Sequence, residues 1–242
     1  MKYITPNWPA PACIKAYTTA RSGWGGRRPH HDTHPGFYTS DTEESGTLKS
    51  LLHLPEEPIW LTQTHSTITI PATPENREKN ADASFTNETN RICAVLTADC
   101  LPLLICNKQG THIAAIHAGW RGLANGIIET TLTSLQQPAH DLLVWLGPAI
   151  GPQKFEVGKD VYDAFTQKHA ESDSAFAPLS GDKWLADLYA LAKIRLKLQG
   201  ISHIYGGEFC TFTQDDLFFS YRRDKGKTGR MASLIWISHD PS

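Results

Sequence analysis

Residues 92–117 read ICAVLTADCLPLLICNKQGTHIAAIH, three apolar runs separated by two polar segments. Each apolar run is short and rich in residues that favour extended structure, which is typical of buried strands. The first polar segment ends in the pair Asp99 and Cys100, and Pro102 favours extended geometry for the residue before it, so a bend between two strands is expected. The third run ends at His117. The stretch therefore predicts three core strands, with polar side chains placed where strands end.

The rest of the chain is expected to form both further strands and helices. Strands are predicted where apolar and β-branched residues run together, and helices where apolar residues recur at helical spacing. The predicted strands cover 13–20, 58–70, 142–146, 201–205 and 232–237. The predicted helices cover 119–136, 159–169 and 184–199. Because strands and helices do not alternate strictly, the pattern predicts an α+β fold rather than a doubly wound parallel sheet.

The composition is that of an ordinary globular protein, with 40% hydrophobic and 20% charged residues. The formal net charge of −2 gives no electrostatic reason to expect nucleic acid or a membrane surface as a partner. The first residues lack the apolar core of a signal peptide, and the five cysteines are scattered rather than arranged as a disulfide framework. We therefore expect a cytoplasmic protein, and no linker divides the chain 1–242 convincingly; the oligomeric state is undetermined.

Cys100 and His117 could come within coordination distance of each other if their two strands end side by side. His65, on the predicted strand 58–70, would complete a set of three ligands. Thiolate and imidazole are ligands that zinc prefers, and three protein ligands with one open position are typical of a catalytic zinc site. The spacings match no short local metal motif, so a metal-free Cys–His nucleophile pair and ordinary packing are alternatives.

Other polar segments could also bind ligands. A rival group of metal-capable side chains lies in the Gly- and Arg-rich loop 21–48, at His30, His31, Asp32 and His34. Residues 119–122, Gly-Trp-Arg-Gly, open a predicted helix, whose free N–H groups and the Arg121 guanidinium could hold an anion. Further cations near the C-terminus, for which surface ion pairing is the simpler interpretation, are Arg222, Arg223 and Arg230.

The candidate ligands His65, Cys100 and His117 fall within longer segments that resemble the YfiH/YlmD family. The resemblance runs from about residue 58 to the end of the chain. The segments that carry it are QTHS (63–66), ADASFT (81–86), LTADCLPLLI (96–105), HAGWRGLANG (117–126), WLGPAIGPQKFEVG (145–158), CTFT (210–213) and FFSYRRDKGKTGRMASLIW (218–236). Members of this family have been called polyphenol oxidoreductases or laccases, and more recently purine nucleoside phosphorylases.

The resemblance implies a single-domain, four-layer α/β/β/α sandwich with mixed sheets, similar to the catalytic domain of cytotoxic necrotizing factor. It also implies Zn²⁺ bound by His65, Cys100 and His117. Family members are described as cleaving adenosine, inosine, guanosine and methylthioadenosine with phosphate, and as deaminating adenosine. Purine nucleosides and phosphate are therefore the expected small-molecule partners.

Roles for individual residues follow from this expected function. Arg21, Arg121 and Arg222 are candidates for holding the anionic oxygens of phosphate through bidentate contacts. Asp99, beside the predicted ligand Cys100, is the candidate proton carrier. The segment 21–48 departs from the family pattern and is expected to border the active site, where it would affect the range of substrates.

Two other functions stay open at this stage. The first is a copper-dependent polyphenol oxidase that holds Cu²⁺, in line with the older family name. A blue-copper site has two histidines, one cysteine and a weak axial ligand, whereas multicopper catalysis needs many clustered histidines. The second is a zinc-stabilised protein that binds a nucleoside without turning it over.

Overall fold

The computed structural model describes residues 3–22 and 48–239, which contain strands, α-helices and short 3-10 helices. The strands are β1 (Tyr3–Ile4), β2 (Ile14–Thr19), β3 (Thr69–Pro71), β4 (Ala83–Thr86), β5 (Ile92–Thr97), β6 (Leu101–Asn107), β7 (Ile113–Ala118), β8 (Leu142–Leu146), β9 (Glu156–Gly158), β10 (Phe176–Pro178), β11 (Lys183–Ala186), β12 (His203–Gly206) and β13 (Met231–Ile237). The α-helices are α1 (Leu48–Leu52), α2 (Trp120–Asn125), α3 (Ile127–Leu135), α4 (Lys159–Thr166) and α5 (Leu188–Leu198). The 3-10 helices are Pro74–Asn76, Ala139–Asp141 and Ala170–Ala175.

These strands form three sheets. The order is β1-β2-β13-β5 in a four-stranded antiparallel sheet and β12-β8-β6-β7-β4-β3 in a six-stranded mixed sheet. A small third sheet has the order β10-β11-β9. The expected mixture of helices and several sheets is confirmed. The four-layer arrangement, the likeness to cytotoxic necrotizing factor and the single domain over 1–242 stay predictions.

The stretch 92–117 forms three consecutive buried strands, as predicted, and it joins the two larger sheets. β5 lies in the four-stranded sheet, whereas β6 and β7 lie in the six-stranded one. The chain crosses between the sheets at Asp99, whose φ of 83° lies in the left-handed region. β6 and β7 pair antiparallel with Pro102 opposite His117, so the start of β6 meets the end of β7.

The two larger sheets pack against each other through alternate side chains of their strands. Leu104 and Cys106 of β6 contact the cluster between the sheets, which also contains Val95 and Ile235 of the four-stranded sheet. Because successive side chains of a strand point to opposite faces, Leu103 and Ile105 belong instead to the cluster beneath the helices. Each fully buried Leu or Ile contributes roughly 1.5–3 kcal/mol by its removal from water. A third cluster packs α1 and Trp60 on the other side of the four-stranded sheet.

The predicted strand 58–70 is wrong over most of its length. Within it the structure has isolated bridges at Ile59 and Thr62, and β3 begins at Thr69. His65 has a φ of 61°, which no strand residue adopts. The turn forms because the N–H groups of residues 64–66 bind a buried carboxylate instead of a neighbouring strand.

Two predicted helices have different bounds in the structure. The helix expected over 119–136 is divided at Gly126, where a φ of 108° ends α2 before α3 begins. The helix expected over 184–199 starts later, because its first residues form β11 and pair with β9 and β10. Asp187 caps α5 by accepting a hydrogen bond from the N–H of Ala190 at 3.0 Å.

Part of the expected active-site border lies outside the described residues. The rival histidine group at 30–34 and most of the divergent segment 21–48 fall there. Among the helices of the described ranges, none is both long and apolar enough to cross a bilayer.

A buried ion pair connects α3 to α5. The Arg195 Nε donates to Glu129 Oε1 at 2.6 Å, and the Arg195 side chain is 6% exposed. We expect Arg195→Ala to lower the free energy of unfolding by about 3 kcal/mol, because Glu129 would lose its partner in a largely buried position. Urea denaturation measures this change. The exposed Lys197→Ala on the same helix is the control and should change stability by less than about 0.5 kcal/mol; equal losses in both variants would contradict the prediction.

Candidate metal centre and active site

The three predicted ligands come together at the crossing between the sheets. One ligand atom from each of His65, Cys100 and His117 lies within 4.8 Å of the other two. The Cys100 Sγ is 3.7 Å from the His65 Nε2, and the two imidazole rings meet edge to face with centroids 4.8 Å apart. The β6–β7 pairing positions Cys100 and His117, whereas His65 comes from the turn at 64–66.

Asp82 fixes this arrangement and was not identified from the sequence as a site residue. Its side chain is completely buried just before β4, and its Oδ1 accepts a hydrogen bond from the His117 Nδ1 at 2.7 Å. The same carboxylate accepts from the backbone N–H groups of Thr64, His65 and Ser66, at 3.2, 3.0 and 2.6 Å. With Nδ1 committed to Asp82, the Nε2 of His117 is left to face the other ligands. The segment ADASFT contained this residue, but no local pattern linked its carboxylate to two distant histidines.

Gln63 provides a second anchor for the turn that carries His65. Its side-chain oxygen accepts from the Leu96 N–H and its amide nitrogen donates to the Leu96 carbonyl, both at 2.8 Å. The amide thus pairs with β5 as a neighbouring strand would. His65 is therefore fixed from both sides, by Gln63 before it and by Asp82 beneath it.

The electrostatics of the cluster favour a thiolate at Cys100. Burial alone would raise the pKa of this thiol, but His117 and hydrogen bonds from His117 and His65 lower the pKa to about 6. Burial alone would lower the pKa of His117, but Cys100 and Asp82 raise it to about 9. Burial also opposes ionisation of Asp82, yet hydrogen bonds from His117 and Ser66 lower its pKa to about 2. A thiolate is the form of cysteine that binds metal ions.

The donor set and the space around it fit a metal ion. Two imidazoles and one thiolate suit Zn²⁺ and also copper, with a fourth position left for a ligand. Gly119 is required beside them, because a Cβ there would lie 2.5 Å from the His65 Cδ2 and 3.3 Å from the Cys100 Sγ. A carboxylate behind a ligating histidine, as Asp82 is here, is the common support of such sites.

The cluster lies in a cavity of about 450 Å³. Two of the three predicted anion-binding arginines, Arg121 and Arg222, line this cavity. Arg21 lies elsewhere: it donates to the Asp215 carbonyl at 3.1 Å, and its guanidinium is 5.5 Å from the centre of the Phe219 ring. The cavity is lined by Leu61, Gln63, His65, Leu96, Thr97, Ala98, Asp99, Cys100, His117, Trp120, Arg121, Ile150, Phe155, Leu188, Tyr221, Arg222 and Arg230.

Each of the three lining arginines lies near an aromatic ring that also lines the cavity. The distances from guanidinium to ring centre are 4.4 Å for Arg121 over Trp120, 5.5 Å for Arg222 over Phe155 and 5.7 Å for Arg230 over Tyr221. A guanidinium near the face of an aromatic ring gains a cation–π contact and can still donate to oxygen acceptors. The aromatic residues and the position of Arg230 in this cavity were not predicted.

Asp99 lies beside Cys100 but is engaged in another network. Its Oδ1 accepts from the Thr211 hydroxyl at 2.6 Å, and its Oδ2 accepts from the Ser220 hydroxyl at 3.0 Å and the Arg222 N–H at 2.6 Å. Both carboxylate oxygens therefore bind groups of the C-terminal turns. The proton transfer predicted for Asp99 stays a prediction.

Known proteins match this chain over nearly its whole length. The family model described as multi-copper polyphenol oxidoreductase laccase matches residues 15–238. A protein of Pseudomonas aeruginosa named purine nucleoside phosphorylase is 46% identical over 239 residues, which cover 97% of this chain and 98% of that one. The purine nucleoside phosphorylase YfiH of Escherichia coli is 45% identical over 98% of this chain and 99% of its own. The chain belongs to the YfiH/YlmD family.

Solved structures of YfiH/YlmD proteins share the fold. A Neisseria meningitidis protein superposes with a TM-score of 0.87 at 42% identity, covering 98% of this chain and all of that one. YlmD of Geobacillus stearothermophilus superposes with a TM-score of 0.86 at 27% identity, covering 99% and 97% of the two chains. The mixed α/β architecture is therefore that of the YfiH/YlmD family.

Removal of the Asp82 carboxylate should weaken metal binding. We expect Asp82→Asn to lower the affinity for Zn²⁺ by about 10- to 100-fold, because an amide cannot accept all the hydrogen bonds that orient His117 and the His65 turn. Competition with a chromophoric chelator measures the affinity. Glu75→Gln, which neutralises an exposed carboxylate outside the site, is the control. Equal affinities for Asp82→Asn and the unsubstituted protein would show that Asp82 does not support the ligands.

Proposed function

We propose that this protein is a zinc-dependent purine nucleoside phosphorylase that also deaminates adenosine and works in the cytoplasm. The observation that carries the proposal is the position of the His65, Cys100 and His117 cluster, which opens into a cavity that Arg121 and Arg222 also line. The names of the relatives support the same activity, since proteins 45–46% identical over nearly the whole chain are called purine nucleoside phosphorylases. Adenosine, inosine, guanosine and methylthioadenosine are the proposed substrates.

The metal end of the cavity would be formed by strand-end residues and the His65 turn. His65, Cys100 and His117 would hold Zn²⁺, which when bound supplies a Lewis acid that polarises a substrate oxygen or water. Asp82 holds the proton on the His117 Nδ1 and so keeps the ligand nitrogen correctly directed. Gly119 leaves room beside the ligands, because any larger residue would collide with His65.

The arginines would hold the phosphate. Arg222 is fixed by a hydrogen bond from its Nη1 to the Glu156 carbonyl at 3.0 Å, and Arg121 is fixed by its contact with Trp120. Both guanidiniums keep further N–H groups that can bind phosphate oxygens bidentately. Two fixed cations at the cavity would orient phosphate for attack on the ribose and stabilise the charge that develops during transfer.

The cavity also suits a purine nucleoside in size and lining. Its volume of about 450 Å³ lies within the usual range of roughly 300–1,000 Å³ for small-molecule sites. Apolar walls from Leu61, Ile150, Phe155 and Leu188 would exclude water around the base. Trp120 and Tyr221 add aromatic surface near the arginines, which is suited to a planar heterocycle.

Loss of a metal ligand should abolish turnover without unfolding the protein. We expect Cys100→Ala to reduce phosphate-dependent release of adenine from adenosine by at least about 100-fold, because the metal would lose its thiolate. Chromatographic separation of adenine, inosine and ribose 1-phosphate measures both reactions. Cys13→Ala, which changes a cysteine far along the chain from the site, is the matched control and should keep full activity.

Different products would distinguish the alternatives. Inosine formed without phosphate and lost in Cys100→Ala would support the deaminase activity. Unchanged adenosine with one zinc bound per chain would contradict the enzyme and favour a nucleoside-binding protein. Full activity in Cys100→Ala would contradict the assigned metal centre.

Substitution of either arginine should weaken the binding of phosphate more than the binding of the nucleoside. We expect Arg222→Ala and Arg121→Ala each to raise the KM for phosphate by about tenfold or more, because each would lose charge-assisted hydrogen bonds. Initial rates at varied phosphate and fixed adenosine measure this. The exposed Arg77→Ala is the control. A KM for phosphate that stays unchanged in both variants would contradict their assignment.

The family model's description favours one second candidate, a copper-dependent polyphenol oxidase. Two histidines and one cysteine also suit a single copper ion. Among residues 3–22 and 48–239, however, His65, Cys100 and His117 form the one group of three or more metal-capable side chains. Phenol oxidation that requires added Cu²⁺ and is lost in Cys100→Ala would support this candidate over the phosphorylase.

A further inference from the structure

Asp99 occupies a backbone conformation that its side chain does not by itself favour. Its φ of 83° lies in the left-handed region, where glycine is the usual residue and aspartate is tolerated. Its carbonyl accepts a hydrogen bond from the Ile150 N–H at 3.0 Å, which ties the crossing to the loop after β8. This conformation directs the carboxylate toward the C-terminal turns and places the next residue, Cys100, in the metal cluster.

The carboxylate of Asp99 is almost completely buried and is satisfied by three donors. Asp99 is 9% exposed, and Thr211 and Ser220 are fully buried. The donors are two hydroxyls and the N–H of Arg222, at 2.6–3.0 Å. A buried carboxylate is costly unless hydrogen bonds compensate it, so these contacts restrict the conformation of both segments that supply the donors.

The segments that Asp99 binds, around Thr211 and at residues 220–222, lie outside helices and strands. Residues 207–230 form turns between β12 and β13. The Thr211 N–H donates to the Ala149 carbonyl, and the Arg223 guanidinium donates to the Thr211 and Phe218 carbonyls. Asp99 binds the backbone N–H of Arg222, whereas the Arg222 guanidinium donates to the Glu156 carbonyl and lies over the Phe155 ring. The backbone from which the Arg222 side chain extends is thus held by a residue next to a candidate metal ligand.

We propose that Asp99 is a positioning residue that places Arg222 relative to the metal cluster. It acts through the backbone of the turn at 220–222, because both of its carboxylate oxygens bind donors of the C-terminal turns. The proposal deepens the proposed function, on which it rests for the identity of the anion as phosphate. It assigns to Asp99 control of phosphate binding, in contrast to Asp82, which supports the metal ligands.

Asp99→Asn tests this role because it keeps the shape of the side chain. An amide offers one acceptor oxygen and one NH₂ group, so at least one of the three donors loses its acceptor. We expect the KM for phosphate of the zinc-loaded enzyme to rise about tenfold, with a smaller change in kcat and with Zn²⁺ affinity within about twofold. Hydrogen exchange over residues 209–223 should become faster in the same variant.

A double substitution separates positioning from a general loss of structure. If Asp99 acts through Arg222, then Asp99→Asn combined with Arg222→Ala should bind phosphate no more weakly than Arg222→Ala alone. Losses that multiply in the double variant would overturn the proposal, as would a phosphate KM in Asp99→Asn equal to that of the unsubstituted enzyme. Thr211→Val and Ser220→Ala each remove one donor and should raise the KM for phosphate by a smaller factor. These two variants provide the test if Asp99→Asn does not fold.

The exchange measurement distinguishes failure of this proposal from failure of the proposed function. Absence of phosphate-dependent turnover in the unsubstituted enzyme would contradict the phosphorylase. In that case, faster exchange over 209–223 in Asp99→Asn would still support the positioning of Arg222, and unchanged exchange would overturn it.

Discussion

The buried carboxylate of Asp82 is the group on which the geometry of the site depends. It accepts hydrogen bonds from the backbone of residues 64–66 and from the His117 imidazole, so it joins a turn to a strand. A carboxylate with no exposure to water needs this number of donors to offset its desolvation. The pairing of β6 and β7 already places Cys100 and His117 side by side. The hydrogen bonds of Asp82 to the turn then fix the third candidate ligand, His65, beside them.

Two kinds of structure line the cavity. The candidate metal ligands stand at the ends of core strands or on a turn fixed to them, which suits groups that must hold a fixed geometry. Other lining residues, Arg222 and Arg230 among them, come from the turns at 207–230, which are held by side-chain hydrogen bonds. Asp99, adjacent in the chain to Cys100, accepts hydrogen bonds from these turns. The crossing between the sheets therefore sets the relation between the metal ligands and the arginines.

The sequence predicts the core of this structure better than its connections. The strands β5, β6 and β7 were predicted because their apolar runs are short and bounded by polar segments. The proximity of two candidate ligands, Cys100 and His117, followed from these strand ends. His65 joins them from a turn and not from the predicted strand, because the turn that carries it depends on a carboxylate from a distant segment. The strand β11 was taken for part of a helix, since its partners β9 and β10 are set by long-range pairing that no local pattern records.

The sequence also predicts only part of the set of arginines that line the cavity. Arg121 lines the cavity together with His117, to which it is close in the chain, and its anion-binding role stays a prediction. Arg21 was assigned with it but binds the Asp215 carbonyl, and Arg230 was interpreted as a surface cation although it lines the cavity. The way in which the turns after β12 fold back on the sheets decides which arginines line the cavity. The charge and spacing of residues in the sequence do not predict this folding.

X-ray absorption at the zinc edge of the purified protein tests the central claim, that these three residues form one metal centre, most directly. The account predicts one zinc per chain with one sulfur at about 2.3 Å and nitrogen or oxygen neighbours at about 2.0–2.1 Å. In Cys100→Ser the sulfur neighbour should disappear. A coordination sphere that lacks sulfur in the unsubstituted protein, or that keeps its sulfur in Cys100→Ser, would contradict the account.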